Sequence, residues 1–232
     1  MSSNPHHSPE VLRDLRAFDT ATISNAMEKL ALRDRATGYA SNRITCQFPQ
    51  LKPMVGYAVT ATADSTTPGD RRPPEVGKLL ENMEIAPRPI VLVVQHNGHN
   101  RERCCLIGDM FCCALDKLDC VGIVTDANAR DKSGIARRTP EFQVFSAGWV
   151  ASHGYPAYVS FNTPVTVADL TIHPGDLLHG DESGLIKIPE EAVGSLVAAA
   201  RQVHDEEAEY FNFLENRFSL DELKRRMRPD KP

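Results

Sequence analysis

Three residues set the chemical question. Asp109 is followed by twenty residues and then by Arg130-Asp131. Two carboxylates could ligate a hard divalent cation such as Mg²⁺, with water filling the other positions. A guanidinium beside that ion could hold an anionic oxygen of a substrate. Asp109 also lies in Gly108-Asp109-Met110-Phe111, where a helix should begin, so the free amides of Met110 and Phe111 could hold a carboxylate. Spacing alone is equally met by a helix cap at Asp109 and a surface ion pair near Arg130, and taken by itself it favours that plainer reading. A soft-metal reading competes in the same stretch. His96, His99, Cys104, Cys105, Cys112 and Cys113 fall within eighteen positions, and imidazole and thiolate suit Zn²⁺. Against it, neighbouring cysteines on a regular element point different ways, and the six cysteines contain no Cys-x-x-Cys pair. These side chains therefore read as buried thiols and loop histidines.

The elements that must position these residues alternate between strand and helix. Residues 1–15 read as a flexible tail. Asp19-Thr20 opens a helix whose apolar positions Ile23, Ala26, Met27, Leu30 and Ala31 share one face. Val55 to Ala63 reads as a strand, and residues 65–74, STTPGDRRPP, as a loop. A short helix over Glu75 to Met83 precedes Ile90-Val91-Leu92-Val93-Val94, an unbroken aliphatic run of the kind buried on both faces. A polar loop, Gln95 to Arg103, leads to a helix over Met110 to Leu118. Then come a second buried strand, Val121 to Thr125, a loop over 126–131, and a third strand, Phe142 to Ser146. This is the order of a layered α/β sheet. Such sheets bind ligands beyond the carboxyl ends of their strands, where both Asp109 and Arg130-Asp131 fall. Ala157 to Ile188 reads as antiparallel hairpins. A long helix from Glu190 to about Leu214 starts behind Pro189, and Ser219 with Glu222 has capping-box spacing before a last short helix.

Composition narrows the function classes. The 232 residues are 41% hydrophobic and 25% charged, which are globular proportions. Ile90–Val94 is the longest purely aliphatic run, far too short to span a bilayer. The first residues, MSSNPHHSPE, carry no apolar signal-like run, so a cytoplasmic, membrane-free protein is expected. The net charge of -5 makes nucleic acid an unexpected partner. The basic clusters at Arg71-Arg72, Arg101/Arg103, Arg137-Arg138 and Arg225-Arg226 read as solvated surface.

The block Ile107 to Asp131, IGDMFCCALDKLDCVGIVTDANARD, resembles the signature of one family. That family holds the 4-hydroxy-4-methyl-2-oxoglutarate/4-carboxy-4-hydroxy-2-oxoadipate aldolases and the regulators of ribonuclease activity A. Phe145-Ser146-Ala147-Gly148 and the pair Ile172-His173-Pro174-Gly175-Asp176 with Asp181-Glu182-Ser183-Gly184 add to the likeness, which covers roughly residues 15 to 215. The resemblance implies a three-layer αββα sandwich of the swivelling β/β/α type. It places a catalytic domain over 16–190 and a C-terminal helical arm over 191–232 that contacts a neighbouring subunit in a homotrimer or homohexamer. It implies a class II pyruvate aldolase that cleaves 4-hydroxy-2-oxo acids, with oxaloacetate decarboxylase activity. Asp131 would ligate Mg²⁺ or Mn²⁺ directly and Asp109 through water. Arg130 would hold the 2-oxo group, and the Met110 and Phe111 amides the carboxylate. Glu206 or Glu207 of a neighbouring subunit would supply a further carboxylate near the metal. Carbon–carbon cleavage beside a 2-oxo acid builds charge on one oxygen, which a Lewis acid and a guanidinium would stabilise. Departures from the pattern are Ala127-Asn128 where glycine is usual after Asp126, Cys112 and Cys113 where alanines are usual, and the Pro- and Arg-rich 65–74 loop. They bear on the substrate more than on the metal. The family also suggests a non-catalytic protein-binding role like that of the ribonuclease E inhibitor, though an inhibitor has no need of Asp109, Arg130 and Asp131 together. A methyltransferase is disfavoured, since no Gly-rich nucleotide loop follows the first strand.

Overall fold

The computed structural model describes residues 7–68 and 75–227. Most of the expected tail's first half, and Arg71-Arg72 with the rest of 69–74, lie outside the described residues. The described chain opens on α1 (Pro9–Leu15) and α2 (Thr20–Leu30). Residues 9–15 therefore correct the expectation of a tail. The Ser8 side chain accepts the Val11 amide, and Leu12 and Leu15 are buried against the later long helix. A seven-residue helix is marginal alone and owes its stability to that packing, which is why its local pattern was weak. The second helix starts as expected, with the Asp19 side chain accepting the Thr22 amide at 2.7 Å.

A short β1 (Thr45–Cys46) and the eleven-residue β2 (Met54–Asp64) follow. Then come α3 (Glu75–Ile85), β3 (Ile90–His96), a single 3-10 turn at Arg101–Arg103, β4 (Cys105–Ile107) and α4 (Asp109–Asp116). Next are β5 (Cys120–Thr125), β6 (Asn128–Ala129), α5 (Lys132–Arg138), β7 (Gln143–Ser146) and β8 (Gly148–Trp149). The remainder is β9 (Ala157–Phe161), β10 (Val165–Val167), β11 (Leu170–Ile172), β12 (Leu177–Asp181), β13 (Gly184–Ile188), α6 (Glu190–Asn216) and α7 (Leu220–Arg226). At α7 the expected capping box is absent: Ser219 is the cap but its side chain makes no capping bond, and Glu222 pairs with Arg225 and Arg226 instead.

Eight strands form one mixed sheet in the order β1-β7-β5-β3-β2-β12-β13, with β9 paired to the far half of β2. Strands β2, β3, β5 and β7 are parallel, so their carboxyl ends share one edge. Two hairpins, β10–β11 and β12–β13, match the antiparallel region expected over Ala157 to Ile188. The alternation of β3 assigns the layers. Ile90, Leu92 and Val94 pack with Leu79 and Met83 of α3, Cys112 and Leu115 of α4 and Ile135 of α5. Val91 and Val93 pack with the β10–β11 hairpin. Tyr57 and Val55 pack with α1, α2 and α6. The result is an α/β sandwich with a C-terminal helix. No helix among the described residues is long and apolar enough to cross a membrane.

Candidate active site

A second, three-stranded parallel sheet turns the twenty-residue spacing into contact. Strand β6 pairs with β4 and with β8, through Cys105↔Asn128, Ile107↔Ala129 and Ala129↔Trp149. The Arg130 amide donates to the Ile107 carbonyl at 2.9 Å, and the Asn128 amide to the Cys104 carbonyl at 3.0 Å. The chain leaving β4 at Gly108 therefore runs beside the chain leaving β6 at Arg130. A Cβ on Gly108 would stand 3.1 Å from Asp131 Oδ2 and 3.3 Å from Arg130 Nε, so glycine there admits both side chains. The Asn128 side-chain amide donates to the carbonyls of Arg101, Glu102 and Cys104 and ties the loop after β3 to this small sheet.

Asp109, Met110, Phe111, Arg130 and Asp131 line one cavity of about 300 Å³. The residue heading α4 is Gly108, not Asp109: it is the cap, and Asp109 is the first helical residue. Cys112 is the first residue to donate back into the helix, to the Gly108 carbonyl at 3.0 Å. The amides of Met110 and Phe111 precede that ladder, as the first turn of any helix requires. Asp131 stands at the cap of α5 with φ 62°, a left-handed conformation, and its side chain makes no capping bond. Its carboxylate lies 3.1 Å from Arg130 Nε. Asp109 Oδ2 accepts from Arg138 Nη1 at 2.6 Å, which corrects the reading of Arg137-Arg138 as wholly surface charge.

The structure adds residues that sequence reasoning missed. His153 and Tyr158 line the same cavity. The Tyr158 ring packs 6.1 Å from that of Phe111, and burial pushes its hydroxyl pKa upward. Both come from the segment after β8, and no spacing marked them. Glu206 and Glu207 are not brought to this cavity within the chain. Glu206 pairs with Lys29 at 2.6 Å, and Glu207 accepts from Asn25 at 3.4 Å. A roomier cleft of about 530 Å³ lies beside Arg16, Arg88 and Glu141, at the opposite ends of the strands. Ligands of parallel sheets bind at carboxyl ends, so the smaller cavity is the candidate.

Of the soft-metal residues, His96 and Cys104 come together and Cys105 and Cys112 do not join them. Cys112 is buried in the core, where burial raises its thiol pKa. Cys105 lines the cavity with its thiol on the Ile107 carbonyl. His96, expected in a loop, is instead the buried end of β3 and lies beside Asp64 and Cys104. Its strand register opposite Ala63 of β2 places it there.

A model of the RraA-like family, described as Aldolase/RraA, matches residues 20–186. Protein DlpA of Legionella pneumophila is 23% identical over 192 residues, covering 82% of this chain and 29% of DlpA. A Pseudomonas fluorescens protein named "Putative 4-hydroxy-4-methyl-2-oxoglutarate aldolase" is 33% identical over 113 residues, covering 47% of this chain and 65% of that protein. The chain thus spans less than two thirds of either relative. Among solved structures, an uncharacterized protein from Pseudomonas syringae superposes with a TM-score of 0.74 at 22% identity, covering 97% of this chain and 98% of that one. Streptomyces coelicolor RraAS2, described as an unusual member of the RNase ES inhibitor RraA protein family, superposes with a TM-score of 0.66 at 23% identity, covering 89% and 98%. At these identities the two structures speak to the fold alone.

Proposed function

The chain belongs to the RraA-like (Aldolase/RraA) family, and from that premise we propose that it is a divalent-metal-dependent lyase that cleaves 4-hydroxy-2-oxo acids to pyruvate and also decarboxylates oxaloacetate. The observation that carries the reading is the uncapped Asp131 carboxylate, held in a left-handed backbone beside Arg130, on a cavity of about 300 Å³ that Met110 and Phe111 in the first turn of α4 also line. A pocket of that volume suits a small organic acid.

The donor set fits the ion. Asp131 and Asp109 offer hard carboxylate oxygens, which suit Mg²⁺ or Mn²⁺. Asp131 would hold the ion directly. Asp109, one of whose oxygens is already engaged by Arg138, would act through water. When bound, the ion supplies Lewis-acid stabilisation of an oxygen that gains negative charge. The protein's own groups do the rest. Arg130 holds the 2-oxo group and stabilises the charge that develops on its oxygen as the carbon–carbon bond breaks. The Met110 and Phe111 amides, at the positive end of α4, hold the substrate carboxylate and so fix the 2-oxo group against Arg130.

The test is pyruvate release from oxaloacetate and from 4-hydroxy-4-methyl-2-oxoglutarate with added Mg²⁺ or Mn²⁺. Arg130→Ala should lower kcat by roughly a hundred- to a thousand-fold, the usual cost of removing one such donor. Asp131→Asn should abolish metal-dependent turnover while leaving the fold intact, because asparagine tolerates the left-handed position. Alanine there would add a strain of about 1–2 kcal/mol and confuse the readout. Full activity in Asp131→Asn refutes the site. A wild type that is inactive on the whole panel favours the protein-binding role instead.

A further inference from the structure

We propose that Asp64, His96 and Cys104 bind one zinc ion, at a site built from none of the residues assigned to the 2-oxo acid pocket. The three side chains come from three elements. Asp64 ends β2, His96 ends β3, and Cys104 immediately precedes β4. The parallel register sets Ala63 opposite His96, and the Asn97 amide donates to the Ala63 carbonyl at 2.7 Å, so the two strand ends are locked together. A carboxylate oxygen, an imidazole nitrogen and the thiol sulfur then all lie within 4.8 Å of one another.

His96 Nε2 identifies a ligand site. The His96 side chain is only 3% exposed, and Nε2 has no hydrogen-bond partner among the described residues. It faces Asp64 Oδ1 at 3.8 Å, too far for a hydrogen bond. A buried ring nitrogen without a partner is costly, and a metal ion satisfies it. Bonds of about 2.0–2.2 Å to oxygen and 2.0–2.1 Å to nitrogen at a tetrahedral angle put those two atoms roughly 3.3–3.5 Å apart, so the Asp64–His96 pair, at 3.8 Å, has only a few tenths of an ångström to close. Cys104 Sγ, within 4.8 Å of both atoms, has to draw closer on binding to complete the set.

Charge argues the same way. Burial would raise the Asp64 pKa, but bonds from the Thr67 and Thr66 amides and hydroxyls outweigh it and hold the carboxyl at about 2. It is therefore an anion in a site shut from solvent, 2% exposed. Arg101 is committed to Asp126 at 3.2 Å, and burial pushes the His96 pKa down, towards the neutral ring. A dication bound by one carboxylate, one thiolate and one neutral imidazole has no net charge. Burial lifts the Cys104 thiol to about 11, so it enters the site as a thiol: the S–H bond breaks, the S–Zn bond forms, and one proton leaves to solvent.

The backbone at Gly98 comes so close to two of the ligand atoms that a side chain there would displace them. A Cβ at Gly98 would fall 2.2 Å from Asp64 Oδ1 and 2.9 Å from His96 Nε2. Ser65 stands between the cysteines, donating its hydroxyl to Cys104 Sγ at 3.3 Å while accepting the Cys105 amide at 2.9 Å. Cys104 is thereby aimed at Asp64 and His96, and Cys105 at the pocket. Bound zinc would pin the carboxyl ends of β2 and β3 to the segment that leads into β4.

The full chain, stripped with a chelator, is titrated with Co²⁺ alone and with Zn²⁺ alone. The expected result is one equivalent of Co²⁺ with a thiolate-to-metal charge-transfer band in the near ultraviolet, displaced by Zn²⁺. Zinc should release one proton per chain and raise Tm. Cys104→Ser and His96→Ala should lose the band and bind zinc at least tenfold more weakly. Gly98→Ala, in a partly exposed loop, should do the same with circular dichroism unchanged, which covers the case in which a core variant fails to fold. Asp131→Asn should keep both band and affinity. Absence of the band in folded wild type, its survival in Cys104→Ser, or its loss in Asp131→Asn overturns the proposal. Because pyruvate release is scored separately, failure here leaves the lyase reading standing, and failure there leaves this one.

Discussion

His179 shows how one buried residue couples this fold to pH. Its Nδ1 lies 3.0 Å from the Thr20 hydroxyl and its Nε2 3.2 Å from the Leu15 carbonyl, while Asp181 accepts the Thr20 amide at 2.7 Å. The ring therefore joins β12 to the turn between α1 and α2, donating from Nε2 and accepting at Nδ1. Burial lowers its pKa below the ordinary 6.5, against smaller opposing effects from Leu15 and Asp181. Above pH 6.5 the ring is neutral in both folded and unfolded chains, and its contribution to stability is fully present. Below pH 6.5 the unfolded chain takes up a proton that the folded chain refuses, so stability falls as pH falls toward the lowered folded value. The slope from one such group is up to about 1.4 kcal/mol per pH unit. His96, lowered for the same reason, adds a similar slope in the metal-free chain. Asp64 begins to contribute only below its ordinary 3.8, as pH falls toward about 2. Urea unfolding of the metal-free chain at pH 7.5 and pH 5.5 should show this loss, and His179→Gln should reduce it by the share of one proton. An unchanged slope in that variant would mean the ring is not the group that titrates.

At the scale of elements, the candidate site depends on how closely α4 and α5 approach. Gly134, in the first turn of α5, sits close against α4: a Cβ there would lie 2.4 Å from Asp109 Oδ2 and 3.0 Å from Asp109 Cβ. Alanine in an exposed helix interior would ordinarily gain about 1 kcal/mol over glycine. Here it must push Asp109 away from Arg138. Gly134→Ala is expected to lower metal-dependent kcat at least tenfold and to give no gain in Tm; a variant that is more stable and fully active would show that Asp109 has no fixed place to keep. The same packing explains what could be read in advance. Strands β3 and β5 were legible because their aliphatic runs are buried on both faces, and the carboxyl edge that they share with β7 predicted that Asp109 and Arg130-Asp131 would meet. The strands that bring them together, β4, β6 and β8, are two or three residues long, too short for any periodicity to register. Arg138 reaches Asp109, and His153 and Tyr158 reach the cavity, through tertiary packing, and none carries a local mark. Asp64, His96 and Cys104 share no ligand spacing, because strand register rather than sequence distance makes them neighbours.

At the scale of the whole molecule, the C-terminal arm is more than one chain uses. Helix α6 buries Ala192, Val193, Leu196, Ala199, Ala200 and Val203 against the sheet and α2, but beyond them it buries only Phe213. Phe213 packs with Phe218 and lies under the Arg226 guanidinium at 4.7 Å, so α7 folds back on the end of α6. Phe211, Phe218, Leu220 and Met227 remain more than half exposed. Exposed apolar side chains grouped on one arm mark an interaction surface. Closed symmetric assemblies of identical chains are the commonest way to cover one. The proposed assembly is a homotrimer or homohexamer, in which the arm lies on a neighbour. Light scattering at micromolar concentration is then expected to give three or six times the 25.6 kDa chain mass. Phe211→Asp with Leu220→Asp should shift the species to a smaller one. Both side chains are exposed in the single chain, so the monomer's own stability should change by no more than about 0.5 kcal/mol each. Loss of 2-oxo acid cleavage on dissociation, restored at high protein concentration, would indicate that a neighbour completes the pocket, with Glu206 and Glu207 as the first carboxylates to replace. A wild type that stays monomeric and fully active would end that reading and leave the arm's apolar face to a different partner.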